Sequence, residues 1–158
     1  MDFSYIGSDG AQELSDFLHP LWVDTHAPIV DGGREWAEYV FPRWGGTDKI
    51  REDLSKGHFY AYVMIDGKKA GVLSAGTEGD VLKVGRLYII PEFRGKGIGS
   101  ACLEFILDYG RDKGCRIAEL SVNPRNENAI AMYYKYGFKE TSRKQHERGY
   151  TSIMTVEL

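Results

Sequence analysis

Cysteine is scarce in this chain, with only Cys102 and Cys115 among 158 residues. One falls inside an apolar helical stripe and the other just ahead of an apparent strand. That placement suits two buried free thiols rather than a disulfide framework, and a reducing cytoplasm is the expected setting. Basic charge is not in excess either. Twenty Lys and Arg against 23 Asp and Glu give a formal net charge of -3, which argues against nonspecific nucleic-acid binding through phosphates. No run approaches the ~18 apolar residues of a membrane span, and Met1-Asp2-Phe3 leads into patterned sequence without a basic, apolar leader. The expectation is an unprocessed, soluble chain without a membrane partner. The four histidines, His19, His26, His58 and His146, show no metal-ligand spacing, so no metal is expected. Linkers, internal repeats and low-complexity tracts are also missing, which leaves one domain over residues 1–158.

What is present is the composition of an ordinary globular protein, 42% hydrophobic and 27% charged. Phe3 to Ile6 reads as a short strand and Ser8 to about His26 as a helix with Pro20 and Pro28 as interruptions. Arg34 to Trp44 and Thr47 to Lys56 are further helical candidates, with Thr47 as N-cap and Gly57 as the stop. The period then changes to two. His58 to Ile65 and Lys69 to Gly76 flank the hairpin dipeptide Asp66-Gly67, and Val81 to Ile90 follows the turn Thr77-Glu78-Gly79-Asp80. A helix from Gly97 to Lys113 separates this last strand from Arg116 to Val122, which predicts one parallel βαβ unit with a right-handed crossover. A helix over Asn126 to Tyr136 and an antiparallel pair, Phe138 to Gln145 with Tyr150 to Glu157, complete the chain. The predicted class is α+β, a mixed, mostly antiparallel sheet of six to seven strands with helices on both faces.

The junction Leu87-Tyr88-Ile89-Ile90-Pro91-Glu92-Phe93-Arg94-Gly95-Lys96-Gly97-Ile98-Gly99-Ser100 runs from strand through a glycine-rich turn into a helix. Such a corner turns several amide N–H groups and the positive helix end toward one anion, so a phosphorylated ligand is expected at Arg94 to Ser100. Spacing separates the ligand classes. A triphosphate loop needs Gly, four residues, then Gly-Lys-Ser/Thr; here the first position is Ile90 and Gly97 follows the lysine. A dinucleotide fingerprint begun at Gly95 would put Ser100 where its third glycine belongs, and Val122-Asn123 lacks the acidic ribose ligand.

Arg94-Gly95-Lys96-Gly97-Ile98-Gly99 instead matches the pattern (Arg/Gln)-x-x-Gly-x-(Gly/Ala), and here the chain resembles the acetyl-CoA-dependent GNAT N-acetyltransferases. The segment Asn126-Glu127-Asn128-Ala129-Ile130-Ala131-Met132-Tyr133-Tyr134-Lys135-Tyr136-Gly137-Phe138 resembles a second motif of that family, in the right order and spacing. The resemblance implies that the amides of Arg94, Gly95, Lys96, Gly97, Ile98, Gly99 and Ser100 hold the CoA pyrophosphate, with added charge from Arg94 and Lys96. It implies that the pantetheine arm lies against backbone at Ile89 and Ile90, that Asn126 contacts the arm, and that Tyr133 is the general acid. By spacing alone, Tyr133 belongs to an apolar stripe and Asn126 is a helix cap. The implied cosubstrate is acetyl-CoA without a metal; the implied partner is a small-molecule or peptide amine, and a homodimer is compatible.

Acyl transfer to an amine of pKa ~10.4 requires loss of a proton, and the leaving thiolate, of pKa ~8.5, requires one. A phenol at Tyr133 suits the second task, and the amide of Ile89 or Ile90 suits the oxyanion. Val81 to Ile90 contains no carboxylate to act as base, which leaves Asp80, Glu119, His26 or a water chain. Trp22, Trp36, Tyr39 and Trp44 read as core or as an acceptor pocket, while Arg125, Glu127, Lys135 and Arg143 to Arg148 read as solvated surface. Trp22-Val23-Asp24-Thr25-His26 and the closing Tyr150 to Leu158 resemble polyamine and protease-synthase-regulator type acetyltransferases. A polyamine or small cationic amine is therefore the first expected acceptor, a protein N-terminus or lysine the second, and aminoglycosides or amino acids come further back. The alternative is a noncatalytic acyl-CoA-binding module on the same fold.

Overall fold

A computed structural model describes all residues, 1–158. Its strands are β1 (Asp2–Tyr5), β2 (Phe59–Ile65), β3 (Lys68–Glu78), β4 (Val81–Ile89), β5 (Ile117–Val122), β6 (Lys139–His146) and β7 (Gly149–Glu157). Its helices are α1 (Ala11–His26), α2 (Gly33–Gly45), α3 (Thr47–Ser55), α4 (Ile98–Asp112) and α5 (Glu127–Lys135). The sheet order is β1-β2-β3-β4-β5-β7-β6, and β4–β5 is its parallel pair, across α4. This is the α+β architecture expected from the sequence.

Strand alternation divides the core in two. On β2, Ala61 and Val63 face a cluster completed by Leu103 and Ile106 of α4, Phe138 and Met154. Tyr60 and Tyr62 face the other way, into a cluster with Leu14, Leu18 and Trp22 of α1 and Phe41 of α2. Helices α4 and α5 therefore cover one face of the sheet and α1 to α3 the other. Cys102 and Cys115 are free and buried, and burial pushes the Cys102 thiol up to about 11. No helix is long and apolar enough to cross a membrane.

Local chemistry explains the boundaries and three departures from expectation. Asp66 (φ 49°) and Gly67 (φ 76°) form the left-handed turn their dipeptide predicts. Pro20, read as an interruption, sits within α1 on its exposed side, where water can satisfy the carbonyl it leaves free. Thr47 is not the N-cap of α3. Gly46 holds that position, and the Thr47 hydroxyl donates to Gln12 Oε1 at 2.9 Å, tying α3 to α1. Strand β3 also runs on through Thr77 and Glu78, which pair with Leu82 and Val81, so the turn is shorter than predicted.

Candidate active site

After β4, a single 3-10 turn at Pro91–Phe93 leads through Arg94 to Gly97 into α4. Gly95 (φ 75°) and Gly97 (φ 77°) take left-handed angles, and a Cβ at either would meet nothing within 4 Å. The first α4 hydrogen bond runs from Ala101 N to Gly97 O at 3.0 Å, so the amides of Ile98, Gly99 and Ser100 have no helical acceptor. These residues, with Arg94 and Gly95, line a cleft of about 690 Å³. Arg94 Nε donates to Ile89 O at 2.8 Å. Lys96 is outside the lining; its ammonium lies 5.5 Å from the Phe93 ring centre.

The cleft continues where the parallel pair splits. Pairing of β4 with β5 covers Val81↔Ile117 to Lys83↔Glu119 and then ends. A bulge in β4 at Gly85 and Arg86, opposite Ser74, accompanies the divergence. Arg86 N donates to Ser74 Oγ at 2.6 Å, and a Cβ on Gly85 would lie 2.2 Å from that oxygen, so glycine is required there. Ile90 N donates to Ala70 O at 2.8 Å, toward β3. Alternation then turns the amides of Leu87 and Ile89 toward the split. Ile90 is thereby corrected: its amide is already engaged and it lies outside the cleft lining, whereas Leu87, not singled out in the sequence, lines the cleft.

A second cleft, of about 350 Å³, lies on the α1–α2 side and is walled by Trp22, Trp36, Val40 and Trp44. Leu87, Tyr88, Asn126, Ala129 and Tyr133 line both cavities, so the two meet at the split. Loop contacts flank the clefts. Arg148, in the β6–β7 turn, stacks 3.9 Å from the Trp36 ring centre and donates to Asp31 O at 3.1 Å. Arg125 donates to Ile29 O and pairs with Asp31 Oδ1, both at 3.2 Å. Two arginines expected at the solvated surface therefore tie loops together, Arg125 in the lining of the larger cleft and Arg148 against Trp36 of the smaller one.

Residues 17–138 match the family model described as the acetyltransferase (GNAT) family. The chain belongs to that family. It is 32% identical over 114 residues to an uncharacterized N-acetyltransferase of Methanocaldococcus jannaschii, covering 68% of this chain and 47% of that relative, about half its length. It is 33% identical over 142 residues to a spermidine N(1)-acetyltransferase of Escherichia coli, covering 85% of this chain and 74% of that one. A PaiA N-acetyltransferase from Thermoplasma acidophilum, solved with coenzyme A, superposes over the full length of both chains with a TM-score of 0.80 at 20% identity.

Within this GNAT fold, Tyr133 reaches both cavities from α5 and packs on Phe138, ring centres 5.8 Å apart. Burial, with a smaller contribution from Tyr88, raises its pKa, so the phenol keeps its proton at neutral pH. Asn126 caps α5, its side-chain oxygen accepting from Ala129 N at 3.4 Å, while lining both cavities.

The structure separates the three base candidates. Asp80 is exposed in the β3–β4 turn, and Glu119 is bound by Lys83; neither lines a cleft. His26 lines the smaller cavity, stacked on Trp22 with ring centres 4.1 Å apart. Its Nδ1 lies 2.8 Å from Trp22 O. A carbonyl only accepts, so Nδ1 carries the hydrogen and Nε2 keeps a free lone pair. Burial, with help from the Arg86 charge and against the Trp22 hydrogen bond, lowers the His26 pKa below 6.5, keeping the ring neutral. Of the four aromatic candidates, Trp22, Trp36 and Trp44 line this cavity, while Tyr39 is 70% exposed and stacks outside on Trp36. Arg86 is the functional candidate missed in the sequence; the signal was a lone cation in the otherwise apolar stretch after Val84.

Proposed function

We propose that this GNAT chain transfers acetyl from acetyl-CoA to a primary amine by direct attack in a ternary complex. The observation that carries this reading is the meeting of two cavities at the β4–β5 split, one edged by free helix-start amides, the other by aromatic walls. The amides of Ile98, Gly99 and Ser100, with Arg94, bind the pyrophosphate. The pantetheine arm lies against Leu87 and Ile89, beside Asn126. The Leu87 amide stabilises the tetrahedral oxyanion.

The amine nitrogen forms its bond to the acetyl carbon, and its proton passes to His26 Nε2. Collapse breaks the carbon–sulfur bond, and the departing thiolate takes a proton from Tyr133. Purified protein incubated with acetyl-CoA and a panel of amines is expected to release free thiol in an amine-dependent way. CoA binding without thiol release for any amine would overturn the proposal and favour a noncatalytic CoA-binding module.

The pH profile checks the base. Below the amine pKa of ~10.4, kcat/KM rises with slope one as the amine deprotonates. It steepens to slope two below the His26 pKa, which lies under 6.5, because protonated His26 accepts nothing. His26→Gln should lose roughly a hundredfold or more in kcat and keep slope one throughout. A steepening that survives the substitution would assign it to another group.

A further inference from the structure

The aromatic cavity holds a positive charge without a counter-charge, its neighbours being the neutral hydroxyls of Tyr60 and Tyr88. Arg86 lines it, just past the bulge in β4. One terminal nitrogen of its guanidinium donates to Trp44 O, while Nε is buried with no partner. None of the chain's ion pairs includes Arg86, nor Arg43, the second arginine of the lining. Behind Arg86, the carboxylate of Asp53 is already committed to Lys49 at 2.8 Å and Tyr60 at 2.6 Å. Glu147, at the exposed tip of the β6–β7 turn, is the one carboxylate of the lining. A guanidinium withdrawn from water without a counter-charge costs free energy, which a ligand carboxylate would offset through two parallel hydrogen bonds.

We infer that the acceptor carries a carboxylate as well as its amine, and that Arg86 binds it: the substrate is a free amino acid or similar amino carboxylate with an apolar or aromatic body. This rests on the acetyl-transfer reading above. Arg86 and Tyr88 stand about 6.7 Å apart along the strand, with the Leu87 amide between them. An amino carboxylate anchored at Arg86 thus has its nitrogen close to the thioester. The trapped volume of about 350 Å³ suits one such molecule, with Trp22, Trp36 and Trp44 against its body. A polyamine would bring only positive charge to two arginines, so the acceptor first expected from the sequence fits this lining poorly.

The test measures binding and turnover separately. Calorimetry with CoA-saturated protein compares N-acetylphenylalanine with N-acetylphenethylamine, and N-acetylleucine with N-acetyl-3-methylbutylamine. The carboxylate member of at least one pair is expected to bind at least thirtyfold more tightly, the scale of a desolvated charge pair. Arg86→Gln should erase the preference and Arg86→Lys keep part of it, with CoA affinity as the folding check. Absence of a carboxylate preference in every pair, including absence of binding, overturns the inference, as does a preference that survives Arg86→Gln. Should both variants lose CoA affinity, the wild-type pairs decide. Thiol release then separates the two readings. Equal kcat/KM for phenylalanine, phenethylamine and spermidine removes the carboxylate site and leaves acetyl transfer, whereas a carboxylate preference in binding without any turnover does the reverse.

Discussion

Gly97→Val is expected to raise the Kd for CoA by a hundredfold or more while the protein stays folded. Gly97 caps α4 at φ 77°, where a side chain is strained by roughly 1–2 kcal/mol, a fraction of the ~5–15 kcal/mol of a typical domain. Nothing lies within 4 Å of the added Cβ in the free protein, so packing adds no further penalty. In the proposed binding mode, the same vacant space is where the pyrophosphate approaches the helix-start amides. Calorimetry with CoA and a thermal melt separate the two effects: Gly97→Ala should show similar strain with a smaller binding loss. CoA affinity within a few-fold of wild type in Gly97→Val would place the pyrophosphate elsewhere.

Tyr133→Phe should lower kcat ten- to a thousandfold, with the KM for acetyl-CoA and the Tm nearly unchanged. The ring packs on Phe138, and phenylalanine retains that contact. The hydroxyl makes no hydrogen bond that folding would miss; what is removed is the proposed proton donor at the meeting of the two cavities. Because burial raises the pKa, no alkaline limb from Tyr133 is expected in the wild-type profile. An unchanged kcat would make Tyr133 a core aromatic, the reading its helical spacing alone supports.

The geometry of the glycine-rich corner was legible in the sequence because its requirements are local. Left-handed angles at Gly95 and Gly97, and free amides before Ala101, follow from residue type and position. Most of the strand pattern was legible for the same reason, since period two and the Asp66-Gly67 turn are short-range signals. The acceptor side was not. His26, Trp36, Arg86 and Thr151 come from four separate elements, and only the tertiary fold brings them around one cavity. Ile90 was misassigned because which strand edge an amide faces depends on pairing with Ala70 and on the bulge at Ser74, both remote in sequence. Thr47 shows the same limit, where a good capping residue was claimed by Gln12.

Helix α4 lines only the larger cavity and α2 only the smaller, and the two meet at the gap between β4 and β5. In the proposed binding mode, donor and acceptor occupy separate cavities that meet only at this gap. Order of addition need not be compulsory, and steady-state velocities at varied concentrations of both substrates should give intersecting reciprocal plots. Inhibition by free CoA should compete with acetyl-CoA alone. The gap in the sheet is then the one junction across which the acetyl group would pass.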